Sequence, residues 1–75
     1  MLYVLSLDTP CGIENVCVSD DVKDVYDYYL TESRKIDMKL EMWYMGEMRG
    51  FVEYFPCEQL DFSYFVNYII EELVR

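Results

Sequence analysis

Apolar and polar residues in this chain repeat first every two positions and then every three to four, and the changes of period mark its elements. Residues 2–8 form a short run rich in Leu, Tyr and Val. Thr9-Pro10-Cys11-Gly12 closes it, with proline at the second position and glycine at the fourth as a type I turn favours. Residues 13–18 return as a second short strand, which predicts a hairpin with a three-to-five-residue loop tolerant of a bulge glycine. The period then lengthens. Val22, Val25, Tyr26, Tyr29 and Leu30 keep the spacing of one buried helical stripe over residues 20–32. Ser19 is the expected cap, and Asp20 and Asp21 fall in the first turn, where the helix dipole favours negative charge.

The alternation returns over residues 36–55, a second hairpin with Gly46-Glu47 as a two-residue type II′ turn. That register sets Trp43 opposite Gly50 and Met42 opposite Phe51. One face then carries Leu40, Met42, Tyr44, Phe51 and Phe55; the other carries Trp43, Met45, Met48, Val52 and Tyr54 between Lys39 and Glu41. Pro56 cannot donate to a ladder and is expected to end the strand. Asp61 is the expected cap of a final helix to about Val74, with Phe62, Phe65, Val66, Ile69, Ile70 and Leu73 as its apolar stripe. The order is ββαββα. It predicts an α+β fold, a four-stranded antiparallel sheet with two helices packed on one face, in a single domain spanning residues 1–75.

Charge changes the picture most. Fifteen acids face six bases and no histidine, a net charge of −9 on 75 residues. Apolar residues at 53% and aromatics at 17% exclude the composition that keeps acidic chains unfolded, so the acid is displayed on a folded body. A chain of this length hides only about 60% of its unfolded surface, so its stability margin is thin. A field this negative repels nucleic acid and anionic membranes and attracts Lys/Arg-rich protein surfaces. Seven acids against one base give residues 1–32 a net −6, three against four give residues 33–49 +1, and five against one give residues 50–75 −4.

The first helix is the acidic focus. Asp20, Asp24 and Asp27 follow the spacing of one exposed face with Asp21 beside them, a row with neighbours about 5–6 Å apart. Such a row suits a groove built for phosphates. It also fits an ordinary solvated face, since acids in a first turn are favourable in themselves. Tyrosine is the second unusual feature: eight are present, and Tyr28, Tyr64 and Tyr68 fall off the buried stripes, as Trp43 does on its strand. Tyr64, Tyr68 and Glu72 make a mixed aromatic and acidic stripe suited to arginine, which pairs with carboxylates and stacks on rings. The same aromatics suit a homodimer contact.

Little points to chemistry. Without histidine a general base near neutral pH needs a strongly shifted carboxylate, lysine or thiol, and neither GxSxG, a phosphate-cradling glycine loop nor HExxH is present. No enzyme activity, cofactor or metal is expected. Asp21, Asp24 and Asp27 lack the glycine turn and closing glutamate of a calcium loop and sit on a helix that fans them outward. Cys11, Cys17 and Cys57 read as small, partly buried hydrophobes, and a Cys11–Cys17 bridge needs an oxidising compartment that nothing else suggests. No stretch is long and apolar enough to span a bilayer, and residues 1–8 lack a signal peptide's basic start, so the cytoplasm is the expected location.

A very small, acidic, histidine-free and tyrosine-rich profile is similar to that of phage-encoded inhibitors that mimic DNA, including many anti-CRISPR proteins and inhibitors of restriction or uracil-excision enzymes. The similarity rests on bulk charge over the whole chain and on no motif. It implies an inhibitor that occupies the basic nucleic-acid channel of a host or defence protein. The other reading is a small adaptor or structural protein, dimeric or not, that binds through its exposed aromatics. Partner contacts are expected at Asp20, Asp21, Asp24, Asp27, Tyr28, Trp43, Tyr64, Tyr68 and Glu72.

Overall fold

In the computed structural model, which describes residues 1–34, 37–56 and 58–73, the chain runs β1 (Leu2–Thr9), β2 (Gly12–Ser19), α1 (Val22–Thr31), β3 (Met38–Tyr44), β4 (Glu47–Val52) and α2 (Phe62–Glu71). The strands form one antiparallel sheet in the order β2-β1-β3-β4. Leu5, Leu7, Met38, Leu40, Met42 and Val52 share one face of the ladders and are buried against Val25, Tyr26 and Tyr29 of α1 and Phe65 and Ile69 of α2. Both helices therefore cover the same face. The expected ββαββα, α+β architecture is the observed one, in a slab of 30 × 29 × 18 Å.

The core is an aromatic layer laid on an aliphatic sheet. Tyr29 packs on Phe65 with ring centroids 4.9 Å apart and on Phe55 at 5.6 Å, while Tyr26 stacks on Tyr29 at 5.9 Å. Their hydroxyls explain why tyrosine stands where phenylalanine packs as well. Tyr26 Oη donates to the Leu60 carbonyl at 3.0 Å, and Tyr29 Oη accepts from the Leu60 N–H at 3.0 Å and donates to the Glu58 carbonyl at 3.4 Å. Two α1 side chains thus pin the segment that leads into α2 and satisfy backbone groups that no ladder serves. Burial pushes the Tyr29 phenol above its ordinary pKa, a trend opposed by the bond from Leu60.

Both hairpins turn differently from the sequence expectation. In the first, Gly12 already pairs with Thr9, so the loop is Pro10-Cys11 and Gly12, at φ 119°, opens β2 in a conformation that favours glycine. The partner of Leu5 is Cys17 and that of Ser6 is Asn15, leaving Val16 as a bulge. In the second hairpin the turn is Met45-Gly46, one residue earlier than expected, with Tyr44 opposite Glu47. Met45 at φ 52° and Gly46 at φ 78° are both positive, the condition of a type I′ turn, which twists with the strands it joins.

A second bulge follows at Arg49. Trp43 faces Met48 and Met42 faces Gly50, so beyond the bulge the pairing lies one residue from the expected register. A one-residue shift exchanges faces. Val52 is therefore buried at 2% exposure and Phe51, expected in the core, stands on the other face at 39%. Tyr44 and Phe62, also expected to be covered, are exposed, as are Leu30 and Ile70. β4 ends at Val52, before Pro56 is reached.

Helix ends differ at one cap. Asp21 caps α1, accepting from the Lys23 N–H at 2.9 Å, whereas Ser19 Oγ accepts from the Asp21 N–H at 3.0 Å. Asp61 caps α2 as expected, accepting from the Tyr64 N–H at 2.9 Å. α2 ends at Glu71 with Glu72 as its cap, short of the expected end near Val74; Val74 itself and the strand start at Ile36 lie outside the described residues. After α2, Leu73 forms a bridge to Gly50 of the edge strand β4. A Cβ on Gly50 would stand 2.6 Å from Met42 Cε, 2.9 Å from the Glu72 carbonyl oxygen and 3.1 Å from Leu73 Cα, so glycine is what lets the chain end close on this strand.

Candidate acidic and aromatic surfaces

The acids expected to form a helical row are exposed, but the row is shorter than anticipated. Because α1 starts at Val22, Asp20 precedes the helix and Asp21 is its cap, leaving Asp24 and Asp27 one turn apart on the helix itself. Each of the last three has a local partner. Asp21 accepts from Lys23, Asp24 accepts from Ser19 Oγ at 2.8 Å, and Asp27 holds Lys23 Nζ at 2.7 Å. That last hydrogen bond, more than anything else, raises the Lys23 ammonium above its ordinary pKa. Among the described residues no group of Cys, Asp and Glu is placed to hold a metal.

The described cations share one property. Lys23 pairs with Asp27, Arg34 with Glu32 at 3.2 Å, Lys39 with Asp8 at 3.9 Å and Arg49 with Glu47 at 3.1 Å. Each base is already engaged by a carboxylate, so the excess acid remains a net field. Glu32 also accepts from the Arg34 backbone N–H at 3.0 Å, and this bond, followed by the one from the guanidinium, holds its carboxyl below the usual range.

Lys23 shows how a cation is seated here. Besides Asp27, its Nζ lies 5.3 Å from the Tyr26 ring centroid and 5.6 Å from that of Phe62, a carboxylate and two ring faces around one ammonium. A similar set of groups lines an open groove of about 290 Å³ between β4 and α2, where Tyr54, Tyr68 and Phe51 meet Glu53 and Glu72. Tyr68 Oη donates to the Tyr54 carbonyl at 2.6 Å and fixes one wall.

The expected stripe of Tyr64, Tyr68 and Glu72 is thereby divided. Tyr68 and Glu72 belong to the groove, while Tyr64 is 67% exposed and is absent from its lining. Tyr28 and Tyr68 are half-buried against the core, a correction to their reading as surface residues, and Tyr68 stacks on Phe55 of the segment after β4 at 5.9 Å. Glu53 and Tyr54 were not anticipated as part of this site. Their place depends on where β4 ends, which alternation alone leaves open.

Among the described residues no helix covers the other face of the sheet. Its ladder positions include Leu2, Val4, Val18, Trp43, Met48 and Phe51, and its charged ladder positions are Asp8, Lys39 and Glu41. Trp43 is half-buried and its indole N–H donates to Glu41 Oε1 at 3.2 Å. Beside them Met1, Leu2, Val4 and the Met45-Gly46 turn enclose an open groove of about 470 Å³. Of the residues expected to share the face of Trp43, Met45, Met48 and Tyr54 are exposed and Val52 is not, having exchanged places with Phe51.

Cys11 and Cys17 are free thiols; Cys11 is exposed, contrary to its expected burial, because it sits at the tip of the first hairpin. Burial, with a smaller contribution from Asp24, raises the Cys17 thiol, which makes it a poor nucleophile. Cys57 lies outside the described residues. No helix among the described residues is long and apolar enough to cross a membrane. Comparison with protein-family models, with curated proteins and with solved structures gives no match.

Proposed function

We propose that this protein is a stoichiometric inhibitor, of phage or mobile-element origin and acting in the host cytoplasm, that occupies the basic nucleic-acid-binding surface of another protein. The observation that carries this reading is the uncompensated charge: a net of −9, with each described Lys and Arg side chain already paired with a carboxylate. A partner that supplies lysine and arginine gains that field without displacing an internal base. The Asp20–Asp21 pair, Asp24 and Asp27 supply the acidic edge, and the groove of Tyr54, Tyr68, Glu53 and Glu72 supplies a seat for an arginine. The reading assigns no catalytic role, since the sequence offers no histidine as a general base near neutral pH.

Affinity capture from a bacterial lysate, followed by competition with duplex DNA, tests this reading. The expected result is a nucleic-acid-binding protein that DNA displaces and whose retention falls steeply as salt rises through the range where the Debye length shrinks from about 30 Å to about 8 Å. Retention indifferent to salt, or a partner unaffected by DNA, would overturn it. Direct binding of the protein itself to DNA or RNA at low salt would do the same, since phosphate affinity comes from free Lys and Arg.

A further inference from the structure

We infer that the uncovered sheet face is the contact surface of a homodimer, in which two copies stack sheet on sheet with their helices outward. An antiparallel sheet commonly leaves one face to water, but such a face then reads polar. Here the half nearest the Met45-Gly46 turn is apolar instead: Leu2, Trp43 and Met48 form one row across the strands and Val4, Val18 and Phe51 the next, with Glu41 between them tied to the Trp43 indole. The other half carries Ser6, Asn15, Lys39 and Asp8, with Ile13 exposed at its margin. Exposed and contiguous apolar surface of this kind marks an interaction site.

Charge selects the occupant. The slab has two broad faces, each about 30 × 29 Å, wide enough for the roughly 800 Å² per partner of a standard interface. On the helix side the exposed Asp20, Asp21, Asp24, Asp27 and Asp61 repel a second copy and attract a basic protein. The charged ladder positions of the sheet side, two acids against one base, leave it at only −1, so it is the one broad face on which two copies meet without strong repulsion.

The sheet order also makes this face complementary to itself. A two-fold axis along the strand direction between β1 and β3 lays β1 of one copy on β3 of the other, and β2 on β4. By the observed register, Trp43 then stands over Leu2 of the second copy, Val18 over Phe51, and Lys39 beside Ser6 and Asp8. Most apolar positions meet apolar ones and Lys39 lies near an acid, while Glu41, tied to the Trp43 indole, stands over Val4, at the spacing of about 10 Å that separates stacked sheets.

Sedimentation equilibrium from micromolar to near-millimolar protein, at low and high salt, tests the dimer. It should form with a Kd that tightens as salt rises, because salt screens repulsion between acidic copies; binding of a basic partner has the opposite sign. Val18→Lys and Phe51→Lys, at opposite edges of the face and both on exposed side chains, should each weaken the dimer by about 100-fold or more while far-UV circular dichroism stays native. If one of them fails to fold, the other decides. Tyr64→Lys on the helix side should leave the dimer intact. A monomer at every concentration and salt, a dimer that survives both sheet substitutions, or one that Tyr64→Lys dissolves would each overturn the inference.

Discussion

On the helix side of this slab the exposed carboxylates Asp21, Asp24, Asp27 and Asp61 stand among exposed Leu30, Phe62, Tyr64 and Ile70, and beneath them lies a dense aromatic layer in which Tyr29 and Phe65 are fully buried. On the sheet side the apolar residues Leu2, Val18, Met48 and Phe51 are themselves the surface, and the charges nearly balance. The two sides draw on the same residue types and divide them oppositely. Burial under the helices stabilises the monomer; apolar area left bare on the sheet does not, and is available only to a partner. Aromatic residues on the two sides should therefore answer mutation differently.

The largest expected difference contrasts Tyr29 with Trp43. Tyr29→Ala removes a fully buried ring and its bonds to the segment before α2, a loss of about 3–5 kcal/mol that leaves a domain this small largely unfolded by circular dichroism at room temperature. Trp43→Ala, on the open face, should lower monomer stability by no more than about 1 kcal/mol in urea denaturation. Equal losses at the two sites would erase the distinction between the faces.

Gly50→Ala comes next. Its new methyl would press on the backbone of Glu72 and Leu73, not only on the mobile Met42 end, so denaturation should show a loss of about 1–3 kcal/mol. Unchanged stability would mean that the closure of the chain end on β4 contributes nothing.

Tyr29→Phe sharpens the helix side alone. It strips the Leu60 N–H of its acceptor, for a loss of about 1–3 kcal/mol at neutral pH. The pH dependence has a definite sign. Burial raises the folded phenol above its unfolded pKa, so the stability it contributes is complete below about pH 10 and disappears as pH climbs through the folded value. Melting temperatures above pH 10 should fall more steeply for the wild type than for Tyr29→Phe, and parallel curves would contradict that assignment.

Smaller effects separate the acids. Asp21→Ala removes the α1 cap and should lower stability by about 1 kcal/mol. Replacing Asp20, Asp24 and Asp27 together by asparagine should change stability by less than about 0.5 kcal/mol, since asparagine still accepts from Ser19 and from Lys23 and the sites are exposed. That triple variant should nonetheless lose capture of a basic partner, chiefly through a slower association rate measured by surface plasmon resonance. Undiminished capture would move the binding site away from the helix edge.

Much of the fold was legible because local rules suffice for it. The stripe through Val25, Tyr26 and Tyr29, the Asp61 cap and the alternation of Leu40 and Met42 each follow from a period or from one side-chain acceptor, and each is observed. The surfaces were less so. Tyr28 and Tyr68 were read as free because a helical stripe says which side faces the sheet, not how far neighbouring chain climbs around its flanks.

The sequence by itself determined the element order, the class of fold and the net charge of −9, since period, capping chemistry and composition are properties of the chain alone. Tertiary structure decided which face Phe51 and Val52 occupy and where the second hairpin turns. A bulge at Arg49 shifts the pairing by one residue, and the burial of Val52 beneath the helices favours that register over the alternatives. It also decided that Leu2, Val18, Met48 and Phe51 share a face that no described helix covers, because only packing both helices on one side of the sheet separates residues that alternate along every strand.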